Sequence, residues 1–77
     1  MSCPSLKHRF EEEQRKGISF ERAVEIYKDV EGSVAAHRAE LEELKNQGAE
    51  MQRISHLQEH IREGEELLKE IRRMKLQ

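Results

Sequence analysis

The stretch Leu41-Glu42-Glu43-Leu44-Lys45-Asn46-Gln47-Gly48-Ala49-Glu50-Met51-Gln52-Arg53-Ile54 contains a change of phase on which the architecture turns. On its N-terminal side, Phe20, Ala23, Tyr27, Val30, Val34, His37, Leu41 and Leu44 recur in alternating steps of three and four. That is a heptad seam, with Phe20, Tyr27, Val34 and Leu41 at a and Ala23, Val30, His37 and Leu44 at d. Beyond Gly48 a second seam places Ile54, Ile61 and Leu68 at a, and Leu57, Gly64 and Ile71 at d. The two frames differ by one residue, which a continuous supercoil absorbs less readily than the usual insertions of three or four. Gly48 can end a helix in the left-handed conformation that side-chain-bearing residues avoid. The chain is therefore predicted to fold back at Gln47–Gly48 as an antiparallel, coiled-coil-like hairpin of two long helices, over 20–46 and 49–76.

Folding about Gln47–Gly48 brings Leu44 to Met51, Leu41 to Ile54, Val34 to Ile61, Tyr27 to Leu68 and Ala23 to Ile71. Gly64 leaves a gap near Val30 that the Tyr27 ring could fill. On one flank Glu40 falls opposite Arg53, and on the other Glu31 and Glu65 repel. Gly32 lies inside the first seam and weakens that helix by about 1 kcal/mol relative to Ala. The seam keeps its phase across Gly32, so one continuous helix is expected.

Upstream, Met1 to Pro4 read as a loose start and Ser5 as the cap of a short helix over 5–16, with Gly17 as its stop. Ser19 is the capping candidate for the helix that follows. Beside the seam, further apolar residues gather at the open end of the hairpin: Val24, Ile26, Leu67 and Met74, with Leu6, Phe10 and Ile18 upstream. Ile26, Leu67 and Met74 occupy g positions, where a two-helix seam needs nothing apolar. Leu6 and Phe10, four apart, form a complementary pair of knobs. Either the N-terminal helix covers this surface or a second chain does. The corresponding architectures are a three-helix bundle and a dimeric four-helix bundle. Ile26, Leu67, Met74, Leu6 and Phe10 are accordingly the candidate partner-binding residues.

Length and composition narrow the functions open to the chain. Its 77 residues make a single small helical domain, 1–77, near the lower limit for a self-sufficient core. Charged residues (39%) outnumber hydrophobic ones (35%), and a net charge of −2 is spread over interspersed acids and bases. Such mixing gives no strong pull toward nucleic acid or an anionic membrane. No apolar run reaches spanning length, and no signal-peptide pattern opens the sequence. Cys3 is the only cysteine, so no internal disulfide framework exists and a reducing, cytoplasmic setting is expected.

Motifs with chemical content are few. His56-Leu57-Gln58-Glu59-His60 resembles, in bare spacing, the H-x-x-E-H of inverted zinc metallopeptidases. The chain lacks the length for those enzymes' distal ligand and cleft, and Glu59 falls on the outward f position. A surface set of His56, His60 and Glu63 has nothing to fix it, and no metal site is assigned. His37, at d among aliphatic residues, is expected to bond a neighbour such as Gln58, or to act as a polar, pH-sensitive register residue. The C-terminal Lys69, Arg72, Arg73 and Lys75 complement the helix dipole and interleave with Glu65, Glu66 and Glu70, with no aromatic residue nearby for stacking.

Ser19-Phe20-Glu21-Arg22-Ala23-Val24 resembles the opening of the first helix of exodeoxyribonuclease VII small subunits, which are also short helical chains. The Gly-acidic-Leu segment that follows in that family has no counterpart here, and no family is assigned on six residues. The expected function is a non-enzymatic protein–protein interaction module: a small adaptor, accessory subunit or inhibitor of a larger protein. Its partner would be another protein or a second copy in a homodimer, engaged through helix docking. No cofactor is expected. A nucleic-acid-associated regulator using the basic C-terminal turns is the alternative, and metal binding through the histidine pair is the third reading.

Overall fold

A computed structural model describes residues 3–75 of the chain, with side chains over 5–74. The described residues are all helical apart from two short connections, with no strand among them. The helices are α1 (Cys3–Lys16), α2 (Phe20–Asn46) and α3 (Met51–Lys75). Helix α1 starts at Cys3, so Ser5 lies in the first turn instead of capping it. Pro4 is tolerated there because first-turn N–H groups have no intrahelical acceptor. The side chains of Cys3 and Lys75, together with Leu76, lie outside the described set.

Each connection is built from local chemistry. Gly17, at φ +93°, ends α1 in the left-handed region, and its N–H donates to the Gln14 carbonyl at 3.2 Å. Ser19 then caps α2, its hydroxyl accepting the Arg22 N–H at 3.1 Å. At the far end Gly48 takes φ +69° and its N–H donates to Lys45 O at 3.2 Å, while the Ala49 N–H donates to Leu44 O at 3.0 Å. This pair of bonds is a Schellman motif. Ala49 packs against the core cluster that contains Leu44, the hydrophobic contact such motifs carry. Between these caps α2 runs unbroken through Gly32.

At 1.5 Å per residue, α2 and α3 are about 40 and 37 Å long, yet the molecule measures 44 × 17 × 17 Å. They therefore lie side by side. The contacts between them show opposite directions: His37 meets His60, Arg38 donates to Glu65, and Arg72 donates to the Tyr27 hydroxyl at 3.0 Å. Helix α1 touches both, through Arg9–Asp29 (2.7 Å) and Glu13–Arg22 on α2, and through Gln14–Met74 on α3.

One core joins the three helices. Val34, Leu44, Leu57 and Ile61 are buried toward the turn, and Leu6, Phe10, Ala23, Ile26, Val30, Leu67 and Ile71 at the other end. Gly64 is also buried. Phe20, given an a position, and Met51, paired with Leu44 by the fold-back, are outside it: Phe20 is 64% exposed and Met51 73% exposed. Both are the first residues of their helices, where no preceding turn exists to complete a packing hole. At the turn the core that contains Leu44 is closed by Ala49, and Met51 is not part of it. The flank pairing also differs from expectation. Among the described residues Glu40 and Arg53 form no ion pair, and Glu65 is not left to repel Glu31, because Arg38 supplies its counter-charge.

Candidate interaction groove

The four expected partner-binding residues with the largest apolar side chains come together inside this chain. Phe10 (0% exposed) and Leu6 (1%) of α1 sit in the groove between α2 and α3, in one cluster with Ile26 (0%) and Leu67 (2%). Met74 is half-buried at the margin, its Sδ accepting from Gln14 Nε2 at 3.6 Å. The open end of the α2–α3 pair is thus covered by the chain's own first helix. The widening of the apolar stripe from a and d to g, at Ile26 and Leu67, is what gives α1 a seat. Burial of each such side chain is worth about 1.5–3 kcal/mol.

Polar contacts fix how α1 lies. Arg9 reaches Asp29, while Arg22 grips the Glu13 carboxylate through Nε (2.5 Å) and Nη2 (2.8 Å) and holds Glu25 with Nη1 at 2.8 Å. The hydrogen bond from Arg22 keeps the Glu13 carboxyl below its ordinary pKa, and the same bond raises Arg22 further above its own. The sequence shows Glu11-Glu12-Glu13 as a solvated acidic run, yet Glu13 is the clasp at the α1–α2 corner. The short connection between Gly17 and Ser19 forces Glu13 and Arg22 together, and that constraint is legible only once both caps are recognised.

Helix α1 is shorter than the groove it occupies. Toward the turn the α2–α3 groove continues as an open depression of about 460 Å³ over Leu44 and Leu57, rimmed by Glu40, Glu50, Gln52, Arg53 and His56. Along the other edge of α1, a mixed-charge channel of about 650 Å³ runs between α1 and α3, with Lys7, Arg62 and Arg73 facing Glu63, Glu66 and Glu70.

The histidines are placed differently from expectation. The contact of His37 that stands out is with its own helix. Its Nδ1–H donates to the Ser33 carbonyl at 2.6 Å, with the Ser33 hydroxyl 3.3 Å away. The neighbour across the interface is His60, which is half-buried although a surface set with His56 and Glu63 is what the sequence leads one to expect of it. The His37 and His60 ring centroids are 5.8 Å apart, and those of His56 and His60 4.6 Å. The fold-back at Gln47–Gly48 already implies that α3 residues near 58–60 pass His37, but heptad lettering alone does not say which flank position turns inward. No group of three His, Cys, Asp or Glu among the described residues is set as a ready-made ion site. No helix among them is long and apolar enough to cross a membrane.

No known protein-family model matches this sequence, and no match emerges among curated proteins or solved structures.

Proposed function

We propose that this chain is a non-enzymatic protein–protein interaction module, a small adaptor, accessory subunit or inhibitor, that works by docking an amphipathic helix in the α2–α3 groove. On this reading α2 and α3 are an antiparallel hairpin, and α1 is the groove's resident occupant in a three-helix bundle. A partner's helix takes the place of α1, meeting Ile26, Leu67 and Met74, while the released Leu6 and Phe10 become a second contact face. The observation that carries this is the complete burial of Leu6 and Phe10 against the α2–α3 pair. The chain binds, within itself, the kind of ligand it is proposed to bind from others: two apolar knobs four residues apart on a short helix.

A second copy is one such partner. Exchange of α1 between two chains would rebuild every contact of the closed form, and the short connection at 17–19 is the kind of hinge that permits exchange. Nucleic-acid binding has less support, because the basic C-terminal residues alternate with acids and Arg72 is engaged with Tyr27.

The test uses two substitutions with opposite expected signs. Phe10→Glu ejects α1 and leaves the groove intact, so it should increase recovery of the physiological partner in quantitative co-purification from the host. Leu67→Glu damages the groove itself and should abolish recovery. Equal effects of the two substitutions would refute displacement of α1 as the mechanism.

A further inference from the structure

We propose that the side of the α2–α3 hairpin turned away from α1 is a second interface, which takes another copy of this chain in an antiparallel dimer. The dimer keeps α1 seated and does not rest on its displacement.

The two edges of the seam are buried unequally. The apolar d residues Ala23, Val30, Leu44, Leu57 and Ile71 are all buried, whereas Tyr27, Leu41, Ile54 and Leu68, at a, are only half-buried. Helical phase puts a, with e beside it, on the side opposite α1. The contacts of α1 fall instead on Arg22 and Asp29 at c, and on Ile26, Leu67 and Met74 at g. The most exposed large apolar side chains among the described residues share the outer side: Phe20 at a and Met51 at e, at opposite ends of the hairpin. Half-buried Val24, also at e, continues the stripe.

Symmetry and charge identify the occupant as a second copy. Val34 and Ile61, paired by the fold-back near mid-length, mark a level about which both heptad stripes repeat in mirror order. A copy turned end for end about a two-fold at that level sets Tyr27 against the copy's Leu41 and Ile54 against the copy's Leu68. Exposed Glu31 then falls within about one residue's rise, roughly 1.5 Å, of the level of the copy's Arg38. A two-fold along the hairpin would set Glu31 against the copy's Glu65, so charge selects the end-for-end arrangement. Arg38 already holds Glu65 of its own chain, and its forked guanidinium has donors for a second carboxylate. Ala35, small and exposed beside the two-fold, lets the two α2 helices approach. The molecule's long side measures 44 × 17 Å, roughly 750 Å² in projection, close to the share of about 800 Å² that each partner gives a standard interface. Charged residues interleave with the apolar ones, so association should be reversible and micromolar.

Sedimentation equilibrium of the full chain carrying Cys3→Ser, which prevents disulfide-linked dimers, tests this from low micromolar to near-millimolar concentration. The mass should rise reversibly from one chain to two. Ala35→Arg sets two cations together at the two-fold and should abolish the rise, with the melting temperature of the dilute chain unchanged. Glu31→Arg should weaken dimerisation about tenfold, because the symmetry applies each substitution twice. Ala39→Arg, on the outward f position, should leave dimerisation as it is. The mass of one chain at every concentration overturns the proposal. So does a dimer that survives Ala35→Arg but is altered by Phe10→Glu, the behaviour of a dimer made by exchange of α1.

Discussion

Arg9 of α1 and Asp29 of α2 meet at 2.7 Å, and Arg9 stands between the buried knobs Leu6 and Phe10 that seat α1 on the other two helices. The ion pair is partly exposed and worth little by itself. Its value is geometric: with Glu13–Arg22 at the corner, it fixes the rotation of α1 so that Leu6 and Phe10 face inward. The apolar contacts supply the energy and the charges choose the orientation.

Truncation of the knob should therefore be expensive. Phe10→Ala removes a fully buried ring and is expected to lower stability by about 3–5 kcal/mol, measured by urea unfolding followed by circular dichroism. Asp29→Asn should lower it by less than about 1 kcal/mol. Comparable losses for the two would mean that α1 is held chiefly by charge.

Glycine substitutions should separate the turn from the helix. Gly32 sits in mid-helix with open space where a Cβ would go, so Gly32→Ala should stabilise by about 0.5–1 kcal/mol. Gly48 has equally open surroundings but φ +69°, so Gly48→Ala should destabilise by about 1–2 kcal/mol. Thermal melts of the two variants should move in opposite directions.

Acid should loosen the α1–α2 corner before it unfolds the chain. The Glu13 carboxyl is held below its ordinary value by the Arg22 hydrogen bond. A depressed folded-state pKa means the contribution is complete above the unfolded carboxylate pKa, about 4.3, and is lost as pH falls through the lower folded value. The melting temperature of the native chain should exceed that of Glu13→Gln at pH 6, and the two should converge as pH drops below 4. A difference that persists undiminished at pH 2.5 would show that Glu13 acts by packing and not by charge.

Much of this arrangement can be read from residue patterns. The one-residue phase change across Asn46–Gly48 marks where the helical run breaks, and Gly48 takes the left-handed conformation that its place after α2 demands. The apolar g residues Ile26 and Leu67 signal that a third element is needed at the open end. Heptad lettering is blind to end effects, however. Phe20 carries an a letter and the fold-back pairs Met51 with Leu44, but neither has a preceding helical turn, and both face solvent. It is equally blind to ion pairing by long side chains: Arg38 reaches Glu65, while the better-aligned Glu40 and Arg53 stay apart. The histidine cluster was the least legible feature, since His60 turns inward from a flank position by an amount that only packed helices define.

The central claim is that the α2–α3 groove receives a helix and that α1 is its resident. A fluorescently labelled peptide of residues 1–17, titrated against the full chain carrying Phe10→Glu, measures this most directly. With its own α1 ejected and circular dichroism confirming that the long helices persist, that chain should bind the peptide saturably, with anisotropy rising to a plateau. The same peptide carrying Phe10→Glu should not bind. Absence of saturable binding to a chain that remains helical, or binding indifferent to the peptide's Phe10, would contradict the account.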